Sequence, residues 1–94
     1  MDLGNMTGQE KYNLALDKDT SEDILMELAK DKDNHIRWTV AENPEASSKI
    51  LVTLLEYEKS LKEPYVCTIK ALYTHKNLPY VAKVIIETLF EEML

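Results

Sequence analysis

The sequence predicts an all-α fold, a stack of about three helical hairpins, and three observations carry that expectation. Two glycines and three prolines in 94 residues leave little material for the tight turns of a β protein. Ala, Leu, Glu, Lys and Met, which are good helix formers, fill the chain instead. Finally, the chain matches itself: a slide of 26 residues lays YNLALDKDTSEDILMEL over WTVAENPEASSKILVTL, with apolar and turn residues in register.

Residues to about Thr7 carry no apolar period and are expected to be frayed. Six helical segments follow, near 8–16, 21–31, 34–43, 47–60, 64–75 and 79–93. The second starts at TSED, where Thr20 and Asp23 have capping-box spacing, and its buried stripe is Ile24, Leu25, Leu28 and Ala29. The third starts at Asn34 and stops before Pro44, whose ring forces Asn43 out of the helical region. Ser47 or Ser48 caps the fourth, with Ile50, Leu51, Leu54 and Leu61 as its stripe. Pro64 suits the first turn of the fifth.

The 26-residue slide pairs Tyr12 with Trp38, Leu14 with Val40, Ala15 with Ala41, Asp17 with Asn43, Ser21 with Ser47 and Leu28 with Leu54. A third copy, VCTIKALYTHKNLPYVAKVIIETL, fits only with several inserted residues. One domain over 1–94 is expected, with units near 8–31, 34–60 and 64–93. Units of this kind cannot bury their apolar faces alone, so stacking supplies the core. A non-repetitive bundle with two similar hairpins is the competing reading.

The stretch DKDNHIRWTVAENPEASSKILVTLLE resembles the leucine-rich repeat variant family, whose units resemble D-x-x-V-R-x-x-V-A-x-N-P-x-T-x-x-x-x-L-x-x-L. Asp33, Ile36, Arg37, Val40, Ala41, Asn43, Pro44, Leu51 and Leu54 stand at those places. The related HEAT-like arrays share the Asp…Val-Arg signature. The resemblance implies a right-handed α-α superhelix and a scaffold, not a reaction. The family pattern includes a cysteine-rich iron–sulfur segment ahead of the repeats. This chain has one cysteine, far from its N-terminus, so no cofactor is carried over.

Composition narrows function further. A net charge of −6 and a pI near 4.8 oppose binding to a polyphosphate, and Lys and Arg are scattered rather than clustered. A basic protein partner suits the charge better. Cys67 alone excludes an internal disulfide and fits a reducing compartment. The N-terminus lacks the basic start and apolar stretch of a signal peptide, and no apolar run approaches bilayer length, so a cytoplasmic location is expected.

No constellation of residues supports catalysis. Cys67 and His75, eight residues apart, are separated by about 12 Å if one helix holds both. His35, Asp31 and Asp33 straddle a helix start and include one strong transition-metal ligand, which reads as a solvated cap rather than a metal site. Neither a phosphate loop nor a nucleophile elbow is present.

The candidate contact residues are therefore Tyr12, Arg37 and Trp38, with Ile86, Phe90 and Met93 in the last helix. Arg37 reads either as a ligand for an acidic group or as an ion pair with Asp33 or Asp31. Trp38 lies about 200° around the helix from Ile36, so it leaves the core stripe unless a neighbouring unit covers it. The last helix is apolar over more than one stripe. It pairs with a second copy, docks on another protein, or is wrapped by its own unit. The expected function is a non-enzymatic protein–protein interaction module or small scaffold. The alternative is a nucleic-acid-associated HEAT-like protein, which would need a contiguous basic groove.

Overall fold

The computed structural model describes residues 3–94 and is all-helical, with no strand among them. Six α-helices follow in order: α1 (Gly8–Leu16), α2 (Glu22–Leu28), α3 (Asn34–Glu42), α4 (Ser48–Ser60), α5 (Val66–Thr74) and α6 (Tyr80–Leu89). The Cα radius of gyration is 12.4 Å. Short 3₁₀ turns at Leu3–Asn5 and Glu91–Met93 flank the helices. Residues 3–5, which carry no apolar period, form a turn whose Leu3 packs against the core. The expected fraying of Met1 and Asp2 lies outside the described residues.

Local chemistry places most helix ends. Thr7 and Glu10 form a reciprocal capping box at α1. Ser21, Asp33 and Ser47 cap α2, α3 and α4 by accepting backbone N–H bonds one turn ahead. Two expected caps move by one residue. Ser21 rather than Thr20 caps α2, because the Thr20 hydroxyl donates to the Leu14 carbonyl instead (2.6 Å). Asp33 rather than Asn34 caps α3. Pro64 does not open α5, which begins at Val66 after Tyr65. Asn43 is extended (φ −69°, ψ 117°), as the following proline requires.

The helices start at related intervals. Gly8 to Asn34 and Glu22 to Ser48 both span 26 residues, whereas Asn34 to Val66 and Ser48 to Tyr80 both span 32. The linkers 29–33 and 61–65 have equal length, so the additional six residues all lie in α4, which has 13 residues against 7 in α2.

The odd-numbered helices lie side by side, α3 between α1 and α5, and α2 packs on α4. Leu25, Leu28, Val40, Ile50, Leu51, Leu54, Ile69, Leu72 and Ile86 fill the space between. A fully buried Leu or Ile of this kind contributes roughly 1.5–3 kcal/mol relative to exposure. Leu61, expected in the stripe of α4, is only half-buried because the helix has already ended there.

A recurring hydrogen-bond pattern joins the pairs. At the ends of α1, α3 and α5, the side chains of Asp17, Asn43 and His75 each accept the N–H two residues ahead, at 2.8, 2.9 and 3.0 Å. Asn43 also donates backwards through Nδ2 to the carbonyls of Ala15 (2.9 Å) and Asp17 (3.1 Å). His75 reaches back in the same way, its Nε2 lying 2.8 Å from the Asn43 carbonyl.

The far side of the third pair is polar. Where α3 and α4 carry buried Ala41, Leu51 and Leu55, the same places in α5 and α6 carry Tyr73, Lys83 and Glu87. The Tyr73 hydroxyl donates to Glu87 (2.7 Å), and Lys83 Nζ lies 5.4 Å from the Tyr73 ring centre. That bond, with partial desolvation and the Glu87 charge, pushes the Tyr73 phenol above its ordinary 10.0.

Candidate functional site

Flanked by α1 and α5, α3 buries Ile36, Arg37, Thr39, Val40 and Ala41, which leaves little of its surface free. His35 and Trp38, one turn apart, lie on the part that remains open. Tyr65, at the start of α5, completes a triangle of rings. Centroid separations are 6.2 Å for His35–Trp38, 5.9 Å for His35–Tyr65 and 6.2 Å for Trp38–Tyr65, with Trp38 edge-on to both neighbours. These distances match favourable aromatic packing. Trp38 and Tyr65 are half-buried and His35 is exposed, so the cluster forms a ledge on the surface.

The adjacent Cys67 side chain, with partial desolvation and the Asp33 charge, pushes the Tyr65 phenol above its ordinary 10.0. The Tyr65 ring is therefore a neutral, uncharged contact at physiological pH. At the other end of the α3–α5 seam, Ala41, Glu42, Pro44, Ala71, Thr74, His75 and Lys76 line an open groove of about 370 Å³. Glu42 and Asp33, both exposed, place carboxylates towards the two ends of α3.

Tyr12 is exposed on α1 and takes no part in the ring triangle. Arg37 is not offered to a partner: its side chain is 1% exposed. Its expected partners also change. Arg37 Nε donates to Glu58, which is 0% exposed, and its other nitrogens reach Asn34 Oδ1 and the carbonyls of Asp31 (2.8 Å) and Lys32 (3.1 Å). Glu58 Oε1 accepts the Tyr65 N–H (2.9 Å), and the guanidinium carbon sits 5.2 Å from the Tyr57 ring centre. Arg37 thus ties α3, α4, the start of α5 and the preceding linker together. Asp33 instead caps α3, and the Asp31 carboxylate pairs with Lys11 at 2.9 Å. Burial works to raise the Asp31 carboxyl, but the Asp33 N–H, Lys11 and Arg37 outweigh it and hold the group below its ordinary 3.8.

The last helix also departs from expectation. Ile86 is fully buried, and Phe90 and Met93 are half-buried against the core because the 3₁₀ turn folds back onto α5. The exposed apolar residues of α6 are Tyr80, Val81, Val84 and Leu89 instead.

Both ring nitrogens of His75 face backbone groups, Nε2 the Asn43 carbonyl and Nδ1 the Asn77 N–H. Among the described residues no three His, Cys, Asp or Glu side chains gather as a metal site. No described helix is long and apolar enough to cross a membrane. His35 and Tyr65 were missed as site residues in the sequence. The spacing of His35 from Trp38 was visible, whereas Tyr65 joins the cluster only through the packing of α5 on α3.

Compared with known family models, curated proteins and solved structures, the chain matches none.

Proposed function

We propose that the protein is a non-enzymatic protein-binding module, a short α-α superhelix of about three helical pairs of the kind that leucine-rich repeat variant and HEAT-like proteins use. The recurrence of helix starts and of the Asp17, Asn43 and His75 turns supports the repeat reading. The observation that carries the binding reading is the aromatic ledge of His35, Trp38 and Tyr65 on the seam between α3 and α5. Aromatic side chains present large contact area with few rotatable bonds and are enriched at binding hot spots.

The partner is an extended protein segment with basic residues. Its apolar part covers the rings, and its charges meet Asp33 and Glu42 at the rim, where they govern orientation and encounter rate. Tyr12 lies outside the ledge and would contribute only at the margin. A chain of this charge does not favour nucleic acid.

Capture from the native cell, followed by titration of the recovered partner, tests this reading. Trp38→Ala is expected to weaken binding at least tenfold, corresponding to roughly 1.4 kcal/mol. Parent and variant binding with equal affinity would reject the ledge as the contact surface.

A further inference from the structure

The odd-numbered helices hold different residues at one shared place. The place of Arg37 in α3 belongs to Lys11 in α1 and to Ile69 in α5. Lys11 pairs with Asp31 near the surface, the two side chains being 23% and 13% exposed, and Ile69 belongs to the apolar core. Arg37 instead carries its charge inside to Glu58, and these two side chains are 1% and 0% exposed. Two equivalent helices do without a buried charge here, so stacking does not call for one. Taking two charges out of water is costly, and an apolar pair of similar size is often at least as stable. Glu58 itself lies in the six residues, 55–60, by which α4 exceeds α2. The aromatic ledge occurs at this same seam. At the α1–α3 seam, Gln9, Tyr12 and Asp33 stand in the places of His35, Trp38 and Tyr65.

We propose that Arg37 and Glu58 are positioning residues for the aromatic ledge, setting its affinity for the protein segment without touching that segment. This inference rests on the ledge being the contact surface. The hydrogen bonds of the pair end at the residues that carry the rings. On one side, Arg37 precedes Trp38 in the chain and donates to Asn34 Oδ1, which precedes His35. It also donates to the carbonyls of Asp31 (2.8 Å) and Lys32 (3.1 Å), which fixes the linker leading into α3. On the other side, Glu58 Oε1 accepts the N–H of Tyr65 itself (2.9 Å), while Oε2 takes the Arg37 Nε–H. One carboxylate therefore spans the two walls of the ledge, and Tyr65 has no side-chain cap of its own to hold the start of α5. The Tyr57 ring, 5.2 Å from the guanidinium carbon, packs against the pair. A contact surface held in its binding geometry loses less freedom when a partner arrives, so a rigid support behind the rings raises affinity.

The test separates positioning from stability. The double variant Arg37→Met with Glu58→Leu removes both charges and should fold, with a urea midpoint above that of either single variant. In the full chain without partner, its Trp38–Tyr65 ring contacts, read as nuclear Overhauser effects, should weaken at least twofold. Acrylamide quenching of Trp38, the only tryptophan, should rise at least twofold. Glu58→Asp keeps the charge but shortens the side chain by one methylene, so it no longer spans both walls. Its Tyr65 amide should exchange at least tenfold faster than in the parent, which keeps the proposal testable if the double variant does not fold. Titrated against the partner captured with the parent, the folded double variant should bind at least tenfold more weakly. Unchanged ring contacts and quenching in the double variant, equal partner affinity, or an equally slow Tyr65 amide in Glu58→Asp would each overturn the positioning role. The ring contacts, quenching and exchange need no partner, so they decide that role even if equal binding by Trp38→Ala rejects the ledge as the contact surface.

Discussion

His75 Nε2 lies 2.8 Å from the backbone carbonyl oxygen of Asn43, and through this bond the third helical pair is fastened to the second. Because Nδ1 accepts the Asn77 N–H, the proton sits on Nε2 and the imidazole donates with it. Asn43 performs the same two tasks between the second pair and the first. A carboxamide and an imidazole are interchangeable here because each carries an acceptor and a donor on one short planar group.

Replacing these residues should follow their bond counts. Asn43→Ala removes three hydrogen bonds from a buried site and is expected to cost roughly 2–4 kcal/mol. His75→Ala removes two and should cost about 1–2 kcal/mol. His75→Asn should recover part of that loss. Urea unfolding measures all three, and equal costs for His75→Ala and His75→Asn would contradict the shared role.

The Arg37–Glu58 pair predicts strong coupling. Arg37→Met or Glu58→Leu alone leaves a buried charge without its counterpart and should cost about 3–5 kcal/mol. The double variant replaces both charges with apolar groups and should be markedly more stable than the sum of the singles implies. A double-mutant cycle in urea with additive effects would show that the two groups do not depend on each other.

Much of the fold was legible in local signals, and the parts that were not depend on distant packing. Ser21, Ser47 and the Asn43–Pro44 step act within one turn of themselves, so helix ends could be read to within a few residues. Arg37 was assigned to nearby aspartates because its partner, Glu58, lies 21 residues away on the lengthened part of α4. The same six-residue lengthening hid the equivalence of His75 with Asn43, since a 26-residue slide does not superpose them. The excess apolar surface of α6 was visible in the composition of the helix. Its exposed members were misassigned because the fold-back of the 3₁₀ turn onto α5, which helps to cover Phe90 and Met93, leaves no local mark.

Asp31 gives the stability a pH dependence of definite sign. Its folded pKa is depressed below 3.8, so the contribution is fully present above that value and is lost as the pH falls through the folded pKa. Lys11→Met should therefore lower stability at neutral pH by about 0.5–1 kcal/mol, since the pair is partly exposed. The difference between parent and variant should shrink towards zero in the acid limb below 3.8. Urea midpoints measured across pH 2–7 check it, and a difference that grows on acidification would contradict the assignment.

Thr68 offers a substitution expected to stabilise. Its hydroxyl is buried without a hydrogen-bond partner, whereas the same place in α3 holds Ile36. Thr68→Val preserves shape and removes the unsatisfied group, and should raise stability by about 1 kcal/mol. A lowered thermal midpoint would show that the hydroxyl is needed.

The central functional claim is that a protein segment covers the rings on the α3–α5 seam. Backbone hydrogen exchange with and without the bound partner tests it most directly. The account predicts slowed exchange concentrated at the start of α3 and around Tyr65, with α2 unchanged. Protection confined to α2 and α4, with none near Trp38, would contradict it.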